Sequence, residues 1–160
     1  MASSAMNEKL LILERSVRAD LEAIDDLYES LGTPDLAASE PEEKLIVIAY
    51  RLHTLYTAFE NAFRNIASTF ENQLRDRAGW HRELLQRMKL DLTPIRPAVI
   101  DEEAYTRLDE LLRFRHFFRT AYGVALDSSR LSLALRNALQ LRPLYRQQFE
   151  SFLQFVQSLE

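Results

Sequence analysis

The stretch SEPEEKLIVIAYRLHTLYTAFENAFRNIASTF, residues 39–70, holds no glycine and no proline after Pro41. Its apolar residues Leu45, Ile48, Leu52, Leu55, Phe59, Ala62, Phe63, Ile66 and Phe70 recur at steps of three and four, which places them on one stripe of an α-helix. Ser39 and Glu42 have the spacing of a capping box that opens it. Such a helix runs about 30 residues, or about 45 Å. In a small chain it is expected to lie antiparallel to a neighbour and bury its stripe there.

Working outward, Leu10, Leu13, Val17, Leu21, Ile24, Leu27 and Leu31 form an upstream stripe of the same period, stopped by Gly32 and Pro34. Downstream, the pattern predicts a short helix from Trp80 to about Leu90, broken by Asp91-Leu-Thr-Pro94 and Pro97. Asp101 caps a further helix that reaches about Tyr122, where Gly123 can end it in the left-handed conformation. Asp127-Ser-Ser129 caps the last, which Pro143 is expected to kink. No strand-like alternation and no internal repeat interrupts this series. The reading is all-α, an up-and-down bundle of four to five helices forming one domain over residues 1–160. Residues 1–6 read as a disordered lead-in or a tag remnant ahead of Met6.

Composition narrows the function classes. The chain is 47% hydrophobic and 28% charged, as soluble globular proteins are. It has no cysteine, which excludes disulfides, thiolate catalysis and cysteine-ligated zinc. No apolar run is long enough to cross a bilayer. The opening Met-Ala-Ser-Ser-Ala-Met lacks the basic and apolar regions of a secretory signal. The expectation is a cytoplasmic chain with no membrane association. The net charge of −4 is uneven: residues 1–43 carry 11 acids and 3 bases, residues 44–160 carry 13 acids and 17 bases. That excludes a uniformly basic coat and leaves room for a local basic site. The acidic first helix reads as a solvated face, with a docking surface as the alternative.

Metal and nucleotide chemistry find no foothold. None of the histidines has a glutamate three residues earlier, as a di-metal bundle site needs; those positions hold Tyr50, Ala78 and Arg113. There is no phosphate-binding glycine loop, no Gly-x-Ser-x-Gly and no His-Glu-x-x-His. No metal and no cofactor is expected. His53 and His81 read as packed or hydrogen-bonded histidines.

One segment stands apart: Arg113-Phe-Arg115-His-Phe-Phe-Arg119-Thr-Ala-Tyr122-Gly123. At 100° per residue, Arg115 and Arg119 fall within the arc of Leu108, Leu111, Leu112, Phe118 and Tyr122. A guanidinium among leucines needs a carboxylate, a phosphate or a partner chain. Arg113 and His116 point to other sides.

With Leu52-His53-x-x-Tyr56, Glu60-Asn61-x-Phe63-x-x-Ile66-Ala67 and Trp80-His81-x-x-Leu84-Leu85, this segment resembles the HepT-like branch of the HEPN superfamily over nearly the whole chain. The signature there is Arg-x4-His-x-Tyr. Arg115 matches its arginine and Tyr122 its tyrosine, while Thr120 stands in the histidine position. The resemblance implies a helical, usually dimeric, metal-independent endoribonuclease toxin. Motif residues of both subunits line a cleft in which the RNA 2′-hydroxyl attacks its neighbouring phosphate. It also implies a minimal nucleotidyltransferase antitoxin that adenylylates the tyrosine, here Tyr122. Arg115 and Arg119 would bind phosphate, with His116 as support. Threonine has no group that titrates near neutral pH, and losing general acid–base help slows such a reaction by about 10²–10⁴. Reduced or lost activity is therefore expected. Thr120 is either the native residue or a detoxifying replacement. The rival readings are a non-catalytic module that binds a nucleotidyltransferase or RNA, and a purely structural bundle.

Positions five apart on a helix differ by about 140°, so Arg115 and residue 120 do not share one face. A site using both needs a frayed helix end or a second subunit, as a twofold homodimer would supply.

Overall fold

The computed structural model describes residues 3–36, 40–71, 78–120 and 126–160, with residues 119–120 by their backbone alone. Five helices occupy the described residues: α1 (Ser4–Leu31), α2 (Glu42–Phe70), α3 (Trp80–Met88), α4 (Glu102–Thr120) and α5 (Ser128–Leu159). The all-α bundle predicted from periodicity is the observed fold.

Each helix begins or ends where local chemistry demands. Ser3 caps α1 by accepting from the Met6 amide at 3.2 Å, so the helix starts inside the stretch read as a lead-in. Gly32 ends it at φ 62°, a conformation glycine adopts without steric cost, and its N–H returns to the Tyr28 carbonyl. The start of α2 differs from expectation. Ser39 lies outside the described residues, and the helix begins at Glu42 with Pro41 as its cap and no side-chain hydrogen bond there. The Pro41 carbonyl takes the first intrahelical bonds, from Lys44 and Leu45. Asp101 caps α4 through the Ala104 amide at 2.8 Å, and Asp127 caps α5 through Ser129 and Arg130. Helix α5 contains Pro143 within its span. Gly123, expected to close α4, lies outside the described residues.

Side-chain contacts fix the helix directions. Asp20 meets Asn65 and the Ser30 carbonyl meets Arg51, so α1 and α2 are antiparallel. Arg107 reaches Asn137 and Gln148 reaches the Asp101 amide, so α4 and α5 are antiparallel. Phe59 and Phe63 of α2 pack on Tyr145 and Phe149 of α5 in register, so that pair is parallel. The result is an up-and-down arrangement of four long helices, with α3 bridging α2 and α4.

The core follows the predicted stripes with instructive exceptions. Towards the end of α1, Tyr28 is buried together with Ile24 and Leu31, while Leu27 is only partly buried. Tyr28 stacks on Tyr145 at 5.3 Å, and its hydroxyl donates to the Ala138 carbonyl at 2.8 Å. On α4, Phe114 joins Leu108, Leu111 and Leu112 in the core.

The connection from α3 to α4 is held by a residue that sequence reading passes over. Arg96 is 0% exposed. Its guanidinium donates to the carbonyls of Arg87, Leu90 and Pro97 and to Glu71 Oε1, at 3.0–3.2 Å. Together with the Val99 and Ile100 amides on the Met88 carbonyl, it closes the open end of α3. Glu71, the C-cap of α2, is tied in the same step. Arg96→Ala strands a buried carboxylate and three carbonyls, and should lower the unfolding free energy by about 3–5 kcal/mol in urea denaturation. A loss below about 1 kcal/mol would show that the clasp does not hold the loop.

Candidate functional site

Three polar residues interrupt the apolar face of α2. His53, Tyr56 and Glu60 lie three and four apart, hence on one side of the helix, and that side faces α3 and α4. Phe118 of α4 packs its ring 5.9 Å from the His53 ring. Glu60 is 4% exposed, and its Oε2 lies 2.7 Å from His81 Nδ1 at the start of α3. Between them sits Tyr56, 0% exposed, with Arg115 and Asp109 of α4 within electrostatic reach of its hydroxyl.

The electrostatics of this seam are legible in Tyr56. Burial pushes its phenol well above the ordinary tyrosine value, and the charge of Glu60 pushes the same way. Arg115 pulls in the opposite direction, while Asp109 and Tyr105 add smaller upward pushes. The hydroxyl therefore stays protonated throughout the physiological range. Tyr56 Oη, Arg115 Nε and Asp109 Oδ1 are each buried with no hydrogen-bond partner among the described residues. The other oxygen of Asp109 accepts from Arg113 at 3.0 Å. A guanidinium whose Nε–H is unspent, half-buried beside a neutral phenol, is suited to take an anion that enters the seam.

The residues predicted for the site separate as follows. Arg115 lies at the α2–α4 seam, partly buried, as a guanidinium in the apolar arc should. His116 lies on the exposed side of α4, as does Arg113. Thr120 is the last residue of α4 and Arg119 precedes it. The side chains of both, and the whole of Tyr122, lie outside the described residues. Near this end, Arg130 of α5 stacks on the Phe117 ring at 4.5 Å, adding a further cation to the α4 terminus.

Sequence reading misses the functional surroundings of Arg115. It does not place Tyr56, Glu60 and Asp109 in the site, although the spacing of His53, Tyr56 and Glu60 puts three polar groups inside an apolar stripe. That is a signal of a buried polar seam. Among the described residues no group of three acidic or histidine side chains could hold a metal ion. No helix there is long and apolar enough to cross a membrane.

Comparison with protein-family models gives a match to a family described as HepT-like protein, over residues 47–156. That covers most of the chain, including α3, α4 and nearly all of α2 and α5, and the chain belongs to the HepT-like family. Searches of curated proteins and of solved structures return no significant match.

Because the Tyr56 hydroxyl has no partner among the described residues, Tyr56→Phe should leave stability within about 1 kcal/mol of the parent, or raise it. A drop of more than about 2 kcal/mol in urea denaturation would mean that the hydroxyl is held by a strong bond in the folded chain.

Proposed function

We propose that this chain is the toxin component of a HepT-type toxin–antitoxin pair, acting on RNA at the α4 seam and working slowly because Thr120 replaces the motif histidine. The observation that carries this reading is the placement of Arg115. In a chain of the HepT-like family, the motif arginine stands half-buried beside Tyr56, with its Nε–H lacking an acceptor among the described residues. A phosphodiester entering the seam meets that fork, and Arg119 from the same helix end adds charge. As the RNA 2′-oxygen attacks phosphorus, negative charge grows on the non-bridging oxygens, and a preorganised guanidinium stabilises it most at that moment. No metal is called upon. The 140° offset between Arg115 and position 120 favours a homodimer, in which the partner chain completes the cleft. Tyr122 is the residue a nucleotidyltransferase antitoxin would adenylylate, filling the cleft with bulk and negative charge. The system operates in the cytoplasm.

A second reading has one observation in its favour: Thr120 carries no proton-transfer group. In that case the chain is a binding module that engages RNA or the nucleotidyltransferase without cutting.

A paired RNA-cleavage and toxicity assay separates the two. Thr120→His should raise cleavage by about 10²–10⁴, and Arg115→Ala in that background should remove it. If neither form cuts RNA while the chain still co-purifies with a nucleotidyltransferase or gains the mass of one AMP, the binding-module reading holds.

A further inference from the structure

The seam contains an acid–base pair that the motif does not account for. His81 and Glu60 come from different helices and meet at 2.7 Å. An ionised carboxylate only accepts, so this contact puts the proton on Nδ1 and leaves Nε2 as the lone-pair nitrogen. The carboxylate is buried behind the ring, with its side chain 6% exposed, whereas the His81 side chain is 28% exposed. Trp80 lies against the imidazole at 3.7 Å between ring centres, and Arg64 covers the indole at 4.8 Å. The ring is thus held from behind and from one side by described residues, and part of it is exposed.

This pair sits one turn of α2 from Tyr56, about 6 Å along the helix, and Tyr56 is where Arg115 arrives from α4. Among the described residues, the charged groups that face the imidazole or lie beyond Tyr56 are Glu60 and Arg64 from α2 and Arg115 and Asp109 from α4. An oriented histidine, a buried carboxylate behind it and a guanidinium beside the tyrosine one turn along α2 are the three parts that phosphodiester cleavage by an internal hydroxyl requires.

We infer that the Glu60–His81 pair supplies general acid–base chemistry to the Arg115 site, doing in part the work that position 120 lacks. The inference rests on the RNA-cleavage reading above. His81 Nε2 takes the proton of the RNA 2′-hydroxyl as the 2′-oxygen bonds to phosphorus. The bond from phosphorus to the 5′-oxygen then breaks, and that oxygen recovers a proton from the imidazolium. The products are a 2′,3′-cyclic phosphate and a 5′-hydroxyl, and the imidazole returns to its starting form. Glu60 holds the ring and compensates its charge; it is a positioning residue.

The test is single-turnover cleavage of an end-labelled single-stranded RNA by the full chain, from pH 5.5 to 8.5, alongside His81→Gln, Glu60→Gln, Arg115→Ala and Thr120→His. The parent should cut slowly, with a rate that rises with pH, as a step that needs a general base does. His81→Gln keeps a donor for Glu60 and so guards the fold. It should lose about 10²-fold in rate together with the rising limb. Glu60→Gln should slow cleavage less and keep the limb. If the parent's activity needs Arg115 and His81→Gln leaves rate and pH profile unchanged, the assignment to His81 is overturned and RNA cleavage stands. The assignment is equally overturned if only Thr120→His cuts, because the pair is intact in the inactive parent. If no form cuts, the cleavage reading and this assignment fall together.

Discussion

Glu60 imposes the constraint from which the site follows. A carboxylate buried within a helical bundle is costly by several kcal/mol unless a donor meets it. α2 carries this one on the side turned away from α1. The donor is His81, and reaching it requires α3 to dock with its first turn on the middle of α2. Once α3 is placed, its far end is fixed by Arg96, which gathers the last carbonyls of α3 and the C-cap of α2 in one buried guanidinium. The chain then enters α4 at Asp101, antiparallel to α5, and this course brings Arg115 to Tyr56. The polar seam is thus a consequence of how α3 is docked.

The neighbouring apolar stripe of α2 obeys a simpler rule. Phe59, Phe63 and Phe70 meet Tyr145, Phe149, Phe152 and Phe155 of α5 in a ladder of stacked and edge-on rings. Tyr28 of α1 closes that ladder on Tyr145. Two arginines in apolar surroundings illustrate the difference between structure and site. The Nε–H of each lacks an acceptor among the described residues; the Arg96 terminal nitrogens have acceptors in four places and the side chain is closed to solvent, whereas Arg115 is half-buried at a seam.

The helices were legible because their apolar residues keep a strict period and their ends carry Gly32, Asp101 and Asp127; the start of α1 at Ser3 was not read. Leu27 and Tyr28 show the limit of periodicity. Both fit the stripe, and only the need to stack on Tyr145 and to bond the Ala138 carbonyl decides that tyrosine goes inward. Arg96 was illegible for a related reason. Nothing local marks it, since its acceptors are carbonyls released by the end of a helix several residues earlier. Within the site, Arg115 could be singled out from helix geometry and from the signature it shares with the HepT-like family. Tyr56, Glu60 and Asp109 could not be joined to it, because the contact depends on how α3 and α4 dock and not on spacing within one helix.

The central claim is that the Arg115 seam receives an RNA phosphate. The most direct measurement follows the arginine Nε–H signals of the ¹⁵N-labelled chain by NMR while a 2′-deoxy analogue of a single-stranded RNA, which cannot be cut, is added. The Arg115 signal, assigned by its loss in Arg115→Lys, should move saturably with oligonucleotide and return when salt is raised. An oligonucleotide that binds while the Arg115 signal stays fixed, or that does not bind at all, would contradict the account.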